Sequence, residues 1–148
     1  SEARLIVREL REEDYESWRR LWALYLEFYK EPLPDEVSTE TFSRLIDPKN
    51  TMQHCLIAER SCESSSASTP PMVGGFATYL LHPSTWSITP YCYLEDLFVD
   101  SSVRGHGTGR ALISELYRRA DDEGWSRVYW ATTDDNYTAR TLYDKVEF

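Results

Sequence analysis

The first third of the chain carries apolar residues at every third or fourth position. Between residues 15 and 29, aromatic residues and leucines fall on one face of a helix, namely Tyr15, Trp18, Leu21, Trp22, Tyr25, Leu26 and Tyr29. The acidic residues 12–14 supply the negative charge that favours a helix N-terminus. Because Pro32 and Pro34 cannot continue a helix, the pattern predicts that this helix ends near Tyr29.

A second, shorter helix is predicted after the two prolines. Ser38 has a side chain suited to an N-cap, and the apolar residues that follow it, Phe42, Leu45 and Ile46, keep a helical spacing. Asp47-Pro48 then ends the helix, because the residue before a proline disfavours the helical conformation.

Short runs rich in β-branched and aromatic residues predict strands near residues 5–7, 54–59, 73–81, 93–99 and 127–132. In the third of these, Gly74-Gly75 permits a bend or a close approach of another backbone. The Ser/Pro-rich segment 61–71 predicts a solvated, flexible hairpin loop inside the domain, and residues 82–90 are expected to form the next turn.

Two more helices are predicted in the second half of the chain. One has an apolar stripe of Leu112, Ile113, Leu116 and Ala120 and ends at Gly124. The other begins at the acidic and amide residues 134–136 and carries Ala139, Leu142, Tyr143 and Val146. The order β-α-α-β-β-β-α-β-α predicts an α/β fold with a mixed, mostly antiparallel sheet flanked by helices, in a single domain over residues 1–148.

Composition narrows the class of protein. No apolar run approaches the length of a membrane span, and the first residues do not resemble a signal peptide, so we expect a soluble, cytoplasmic protein, with a nuclear location left open. The net charge of −9 disfavours nucleic acid and weakly favours cationic partners. Cys55, Cys62 and Cys92 are too scattered for a zinc site, so we expect free thiols and no metal.

A basic, glycine-rich segment joins the strand at residues 93–99 to the helix that follows. It runs Arg104-Gly105-His106-Gly107-Thr108-Gly109-Arg110. Three glycines at alternate positions let a ligand approach the backbone, and a helix N-terminus offers N–H groups to an anion, so the segment predicts a phosphate site. The spacing fits neither a Walker loop nor a dinucleotide fingerprint, and a plain glycine-rich turn is the alternative.

Two blocks of this sequence resemble the GNAT (GCN5-related) N-acetyltransferases. One is residues 93–110; the other is Asn136-x-x-Ala139-x-x-Leu142-Tyr143 followed by Phe148. The run Tyr93-Leu94-Glu95-Asp96-Leu97-Phe98-Val99 is most similar to the spermidine/spermine acetyltransferase-like branch, which includes fungal amino-acid and diamine acetyltransferases. Glu147 departs from a common glycine, and the chain stops before the one or two C-terminal strands that the family normally adds, so a missing tail, a local deletion or a partner chain are the open explanations.

The resemblance implies a cosubstrate and roles for particular residues. Acetyl-CoA is held by loop amides and by backbone groups along the strand, giving as cofactor-binding residues Leu97, Phe98, Val99, Arg104, Gly105, His106, Gly107, Thr108, Gly109, Arg110, Asn136 and Ala139. Tyr143 is the acid that protonates the departing thiolate. Glu95 is the base that accepts the amine proton, directly or through water, and Asp96 is a structural acceptor; the alternative is that both carboxylates form structural pairs. Strand alternation predicts that Leu94, Asp96 and Phe98 share one face and that Tyr93, Glu95, Leu97 and Val99 share the other. The resemblance also implies a homodimer.

The leading hypothesis is therefore an acetyl-CoA-dependent N-acetyltransferase of a small primary amine. A polyamine, a diamine-like amino acid and a free amino acid all fit, because the net charge and Glu95, with Glu27 or Glu31 from the first helix, can attract a cation. A protein-lysine or histone acetyltransferase and a non-catalytic acyl-CoA-binding domain are the alternatives.

Overall fold

The structure is a computed structural model that describes residues 3–62 and 71–131. In chain order its elements are β1 (Ala3–Glu9), α1 (Tyr15–Tyr29), α2 (Asp35–Ile46), β2 (Gln53–Cys62), β3 (Met72–Ser84), β4 (Ser87–Val99), α3 (Thr108–Glu123) and β5 (Arg127–Trp130). Short 3-10 turns at Glu12–Asp14 and Ser101–Val103 precede α1 and follow β4. The predicted last helix, from residue 134 onward, lies outside the described residues.

The strands form one sheet in the order β1-β2-β3-β4-β5. Strands β1 to β4 pair antiparallel as successive neighbours, whereas β5 pairs parallel to β4, because α3 carries the chain back to the start of β4. The prediction of an α/β fold with a mixed, mostly antiparallel sheet is confirmed. Gly74 is the extra residue in β3 where its register with β2 shifts, as the glycine pair suggested.

Each face of the sheet packs against helices. Helices α1 and α2 cover one face and bury Trp18, Leu21, Trp22, Phe42, Leu45, Phe76 and Phe98, among others. Helix α3 covers the opposite face and buries Leu112, Ile113 and Leu116 against Leu56, Ala77, Tyr79 and Leu94. The predicted apolar stripes of α1 and α3 therefore mark the faces that these helices turn to the sheet, except that Tyr29 at the end of α1 is exposed.

Ser38 does not cap α2. The helix begins at Asp35 after Pro34, one turn earlier than predicted, and Asp35 and Glu36 provide its acidic first turn. Ser38 is fully buried inside the helix, where its hydroxyl accepts a hydrogen bond of 2.9 Å from the indole N–H of Trp22. A serine that caps a helix and a serine that joins two helices have the same local sequence, so a long-range contact decides between them.

The predicted boundaries of two loops also need correction. Residues 82–90 are mostly strand: β3 extends to Ser84, β4 starts at Ser87, and Thr85-Trp86 alone form the turn. Ser61 and Cys62 belong to β2, and residues 63–70 of the predicted hairpin loop lie outside the described part of the chain. Within the described ranges, no helix has the length and apolarity needed to cross a membrane.

Candidate active site

Strand β4 contains a one-residue bulge at Glu95. Asp96 pairs with Thr78 in β3, but Leu94 pairs with the next residue, Tyr79, so Glu95 has no partner of its own. The bulge reverses the alternation of side chains along the strand. Leu94 packs on the α3 face, while Phe98 packs on the α1 face. The expectation that Leu94, Asp96 and Phe98 share one face is wrong, because the extra residue shifts the phase by one position.

Among the described residues, the pairing of β4 with β5 ends at the bulge. Their register runs from Tyr91 with Arg127 to Leu94 with Trp130 and ends there, although β4 continues to Val99. The N–H of Asp100 donates to the carbonyl of Gly74 in β3 at 2.8 Å. By antiparallel alternation, the backbone of Phe98 then faces β3, and the backbone groups of Leu97 and Val99 face the other side, an open edge with which no described strand pairs.

The direction of the backbone groups distinguishes the three strand residues that are predicted to contact acetyl-CoA. Leu97 and Val99 present their backbone groups to an edge that an extended ligand arm can pair with, as an added strand does. Phe98 does not, because its backbone pairs with Phe76 and its ring is buried. The backbone geometry thus favours Leu97 and Val99 over Phe98 for pairing with a ligand arm, and contact of all three residues with the cosubstrate stays a prediction.

The glycine-rich segment forms a tight loop that leads into α3. Gly105 and Gly107 have φ angles of 85° and 80°, in the left-handed region that favours glycine, and space is open where a Cβ would stand. The first intrahelical hydrogen bond runs from Ala111 N–H to the carbonyl of Gly107, at 2.9 Å. The N–H groups of Thr108, Gly109 and Arg110 therefore precede the helical ladder and are available to an anion.

The cations of this segment stand around the loop without entering the core. Arg104, His106 and Arg110 are exposed, whereas Thr108 is buried beneath the first turn of α3. Gly109 packs over the strand, since a Cβ there would lie 3.6 Å from a methyl of Val99. The start of α3 thus lies over the end of β4, next to Val99. The residues that the sequence predicted for phosphate binding are brought together there.

Two arginines that the sequence did not single out hold this loop in place. Arg20 of α1 donates to the carboxylate of Asp100 at 2.9 Å and to the carbonyl of Val73 at 3.2 Å, and this contact lowers the pKa of Asp100. Arg60 of β2 donates to the carbonyl of His106 at 3.2 Å. Both contacts join residues far apart in the chain, so no local pattern could have indicated them.

Glu95 and Asp96 have different surroundings. Glu95 is exposed at the bulge, whereas Asp96 is half-buried on the α1 face, where it accepts a hydrogen bond of 2.5 Å from the hydroxyl of Tyr25. Desolvation by the surrounding protein atoms raises the pKa of Glu95, although its side chain reaches solvent, and the neighbouring charge of Asp96 raises it further. Burial also raises the pKa of Asp96, although the bond from Tyr25 opposes that rise. Asp96 is thus an acceptor within the structure, as predicted.

The two other predicted carboxylates do not join this pair. Glu27 and Glu31 line a groove of about 500 Å³ on the outer side of α1, together with Arg19, Ala23, Leu26, Lys30, Pro32 and Leu33. Neither Tyr25 nor Asp96 lines that groove. The expectation that Glu27 or Glu31 faces the amine is therefore not supported. Glu95 is an exposed carboxylate of β4 itself, two residues before Leu97.

Asn136, Ala139 and Tyr143 lie outside the described residues, so their predicted roles stay predictions. Among the residues described, no group of three or more His, Cys, Asp or Glu side chains could hold a metal ion.

Comparison with known proteins places this geometry among acetyltransferases. A model of the Acetyltransferase (GNAT) family matches residues 18–148. The chain is 38% identical to the D-amino-acid N-acetyltransferase HPA3 of Saccharomyces cerevisiae, covering 98% of this chain and 85% of that protein. It is 32% identical to the thialysine N-epsilon-acetyltransferase of Bos taurus, covering 94% and 81%. The aminoglycoside N-acetyltransferase AAC(6')-Iy in complex with CoA shares the fold, with a TM-score of 0.77, 18% identity and coverage of 100% and 90%.

Proposed function

The chain belongs to the Acetyltransferase (GNAT) family of N-acetyltransferases, and from this membership we propose that it transfers an acetyl group from acetyl-CoA to the primary amine of a small metabolite. The relatives support a small acceptor, because one is named for D-amino acids and another for thialysine, a lysine-like amino acid with a side-chain amine. The acceptor class we favour comprises amino acids and diamine-like amines that are cationic in solution.

One observation supports the proposal: the groups that a transfer site needs follow one another along the last part of β4. Glu95 stands at the bulge, the open backbone groups of Leu97 and Val99 come next, and the start of α3 lies over Val99. A plain glycine-rich turn explains the loop but not the unpaired edge beside it.

The residues of this site fit acetyl-CoA. The open space at Gly105 and Gly107 and the N–H groups at the start of α3 suit a pyrophosphate, and exposed Arg104 and Arg110 add positive charge. Leu97 and Val99 suit the amide-bearing pantetheine arm, because that arm can exchange hydrogen bonds with a strand edge. When bound, acetyl-CoA supplies an activated acetyl group as a thioester.

Side chains of the protein carry out the proton transfers of the reaction. Glu95 accepts a proton from the ammonium of the acceptor, which frees the nitrogen lone pair to attack the thioester carbonyl. The C–S bond breaks as the new C–N bond forms, and Tyr143 donates its proton to the departing sulfur. The nitrogen loses a second proton, which restores Tyr143 through solvent, and Glu95 returns its own to water. The reaction thus releases the amide, the free thiol and one proton.

A panel of amines tests the proposed function. The protein is incubated with acetyl-CoA and, in separate reactions, with D- and L-amino acids, thialysine, lysine, polyamines and a lysine-containing histone peptide, and thiol release is followed. We expect turnover with small amines and little with the peptide. Preference for the peptide would favour the protein-lysine alternative. Binding of CoA without turnover of any amine would favour the non-catalytic domain.

Glu95→Gln is expected to lower kcat/KM at pH 7 by about 10- to 100-fold, because the amide cannot accept the proton of the ammonium. The loss should shrink at higher pH, where more of the acceptor is already neutral. A pH–rate profile measured with the best amine of the panel checks this.

Glu40→Gln is the matched control for that variant, because Glu40 is an exposed carboxylate of α2 that pairs with Arg44. It should leave the profile unchanged. A Glu95→Gln profile that also overlays the parent would remove Glu95 from the mechanism.

A further inference from the structure

Tyr25 connects helix α1 to the bulge of β4. Its hydroxyl donates to Asp96 at 2.5 Å, across 71 positions of sequence. Its ring packs between Trp22, Tyr29, Phe76 and Phe98, with centroid distances of 5.1 to 5.9 Å. Burial and the nearby charge of Asp96 raise the pKa of the Tyr25 phenol, so it keeps its proton and acts as a donor. The ring is thus held firmly enough to fix the carboxylate that it contacts.

Asp96 differs from the other partly or fully buried aspartates. Asp14 accepts two hydrogen bonds of 2.9 Å from the guanidinium of Arg8, and Asp100 accepts one of 2.9 Å from Arg20. In the described part of the chain, no ion pair includes Asp96 or Glu95. A phenol fixes the position of a carboxylate without neutralising its charge, so the charge of Asp96 is left to act on its neighbour.

Among the described residues, the groups that face this pair come from α1 and from β2 and β3. Helix α1 contributes Tyr25, with Tyr29 behind it; the two strands beneath contribute Thr78 and the buried Cys55. Burial raises the pKa of the Cys55 thiol, so this group is uncharged at neutral pH. The carboxylates of Glu95 and Asp96 are therefore the groups of this cluster that can carry charge near neutrality.

We propose that Tyr25 is a positioning residue for acetyl transfer, which acts through Asp96 on the carboxylate of Glu95. The inference rests on the proposed function, in which Glu95 accepts the proton of the amine. Because Tyr25 holds Asp96 on the core side of the bulge, the extra residue Glu95 is turned outward toward the open edge. The fixed charge beneath it makes Glu95 a stronger proton acceptor and attracts a cationic acceptor.

Tyr25→Phe tests this role, because it removes the hydroxyl and keeps the ring packing. We expect kcat at pH 7 to fall by about 10-fold, part of a general-base contribution, with the KM for acetyl-CoA unchanged. Without the phenol, Asp96 protonates more readily, so the charge beside Glu95 is lost and the pKa of Glu95 falls. The acid limb of the pH–rate profile should therefore move to lower pH, by up to about one unit.

Asp96→Asn should move the acid limb of the pH–rate profile in the same direction and by the full amount, because this change deletes the charge of Asp96 itself. The double variant Tyr25→Phe/Asp96→Asn should differ from Asp96→Asn by less than about twofold, because both changes act along one path. Tyr15→Phe is the matched control: it removes a hydroxyl at the start of the same helix, where the ring packs edge-on against Phe42, and should leave the profile unchanged.

Carboxyl-carbon NMR of the folded variants gives a readout that does not need turnover. The pKa of Glu95 should fall in Tyr25→Phe and in Asp96→Asn relative to the parent. An unchanged Glu95 titration in both variants overturns the inference, as does a double variant whose losses multiply. A Tyr25→Phe profile that overlays the parent, alongside an impaired Glu95→Gln, overturns this inference and leaves the proposed function standing. If the pH–rate profile of Glu95→Gln matches that of the parent, Glu95 is not the proton acceptor, and the inference about Tyr25 is overturned as well.

Discussion

Gly107→Val is expected to weaken the binding of CoA by about 100-fold or more, which corresponds to roughly 3 kcal/mol. Gly107 has a φ angle of 80° and stands immediately before the first residue of α3. A β-branched residue disfavours that conformation, and its side chain would fill the open space through which an anion reaches the N–H groups of the helix. Calorimetry with CoA measures the effect.

Gly124→Val separates backbone strain from loss of the site. Gly124 has nearly the same φ angle, 78°, and similar open space, but it lies at the opposite end of α3. We expect comparable destabilisation in thermal unfolding, with CoA affinity close to that of the parent. Gly109→Ala adds a third comparison, because its φ is not positive and the new methyl would meet only Val99. Equal CoA affinities in Gly107→Val and Gly124→Val would place the phosphate site elsewhere.

Tyr143→Phe is expected to lower kcat by about 100-fold or more, within the range of general acid catalysis, because it deletes the proton offered to the departing sulfur. The phenyl ring keeps the volume of the side chain, so the dissociation constant of acetyl-CoA should change little. Steady-state kinetics with the best amine and calorimetry with CoA together measure the two quantities.

The outcome separates chemistry from packing. A Tyr143→Phe variant with parental kcat would return Tyr143 to an ordinary residue of the last predicted helix. A variant with parental kcat but weakened CoA binding would instead assign its hydroxyl to cosubstrate contact. A fall in kcat confined to one amine of the panel would indicate that the Tyr143 hydroxyl contacts that amine and does not protonate the departing sulfur.

Elements with a strong period were predictable from the sequence. The apolar positions of α1 mark a helix over residues 15–29, and α1 spans Tyr15–Tyr29. The stripe of α3 and its end at Gly124 are also confirmed, because a positive φ at a helix C-terminus favours glycine. Strand ends were predicted less well, since residues such as His82 and Pro90 suit a turn or a strand edge equally.

The bulge had no sequence signal. An apolar run with one extra residue has the same composition as an unbroken strand, so alternation gave Leu94 and Phe98 the same face, and the structure gives them opposite faces. The contacts that fix the site were equally hidden, because Tyr25 meets Asp96 across 71 positions and Arg20 meets Asp100 across 80. Contacts of this kind follow from the packing of α1 on the sheet, which a local pattern does not specify.

The two motifs predicted the enzyme family correctly, but they did not predict which backbone groups of β4 face β3. Gly109 of the loop at residues 104–110 lies next to Val99 of β4, and the backbone of Phe98 pairs with β3, whereas contact of these residues with acetyl-CoA stays a prediction. The roles of Asn136, Ala139 and Tyr143 stay predictions, and so does a homodimer. Each of these rests on resemblance and not on a contact among the described residues.

The bulge at Glu95 makes the site sensitive to the deletion of a single residue from β4. Deleting that single residue would make β4 a regular strand and would leave its other side chains on their present faces, with Leu94 toward α3 and Phe98 toward α1, because Leu94 and Asp96 already pair with the consecutive residues Tyr79 and Thr78. The carboxylate of Glu95 and the local distortion of β4 would be lost in one step. Insertions and deletions in surface loops are commonly tolerated, whereas at this position the loss of one residue would remove the proposed proton acceptor and leave the packing of the helices on the sheet unchanged.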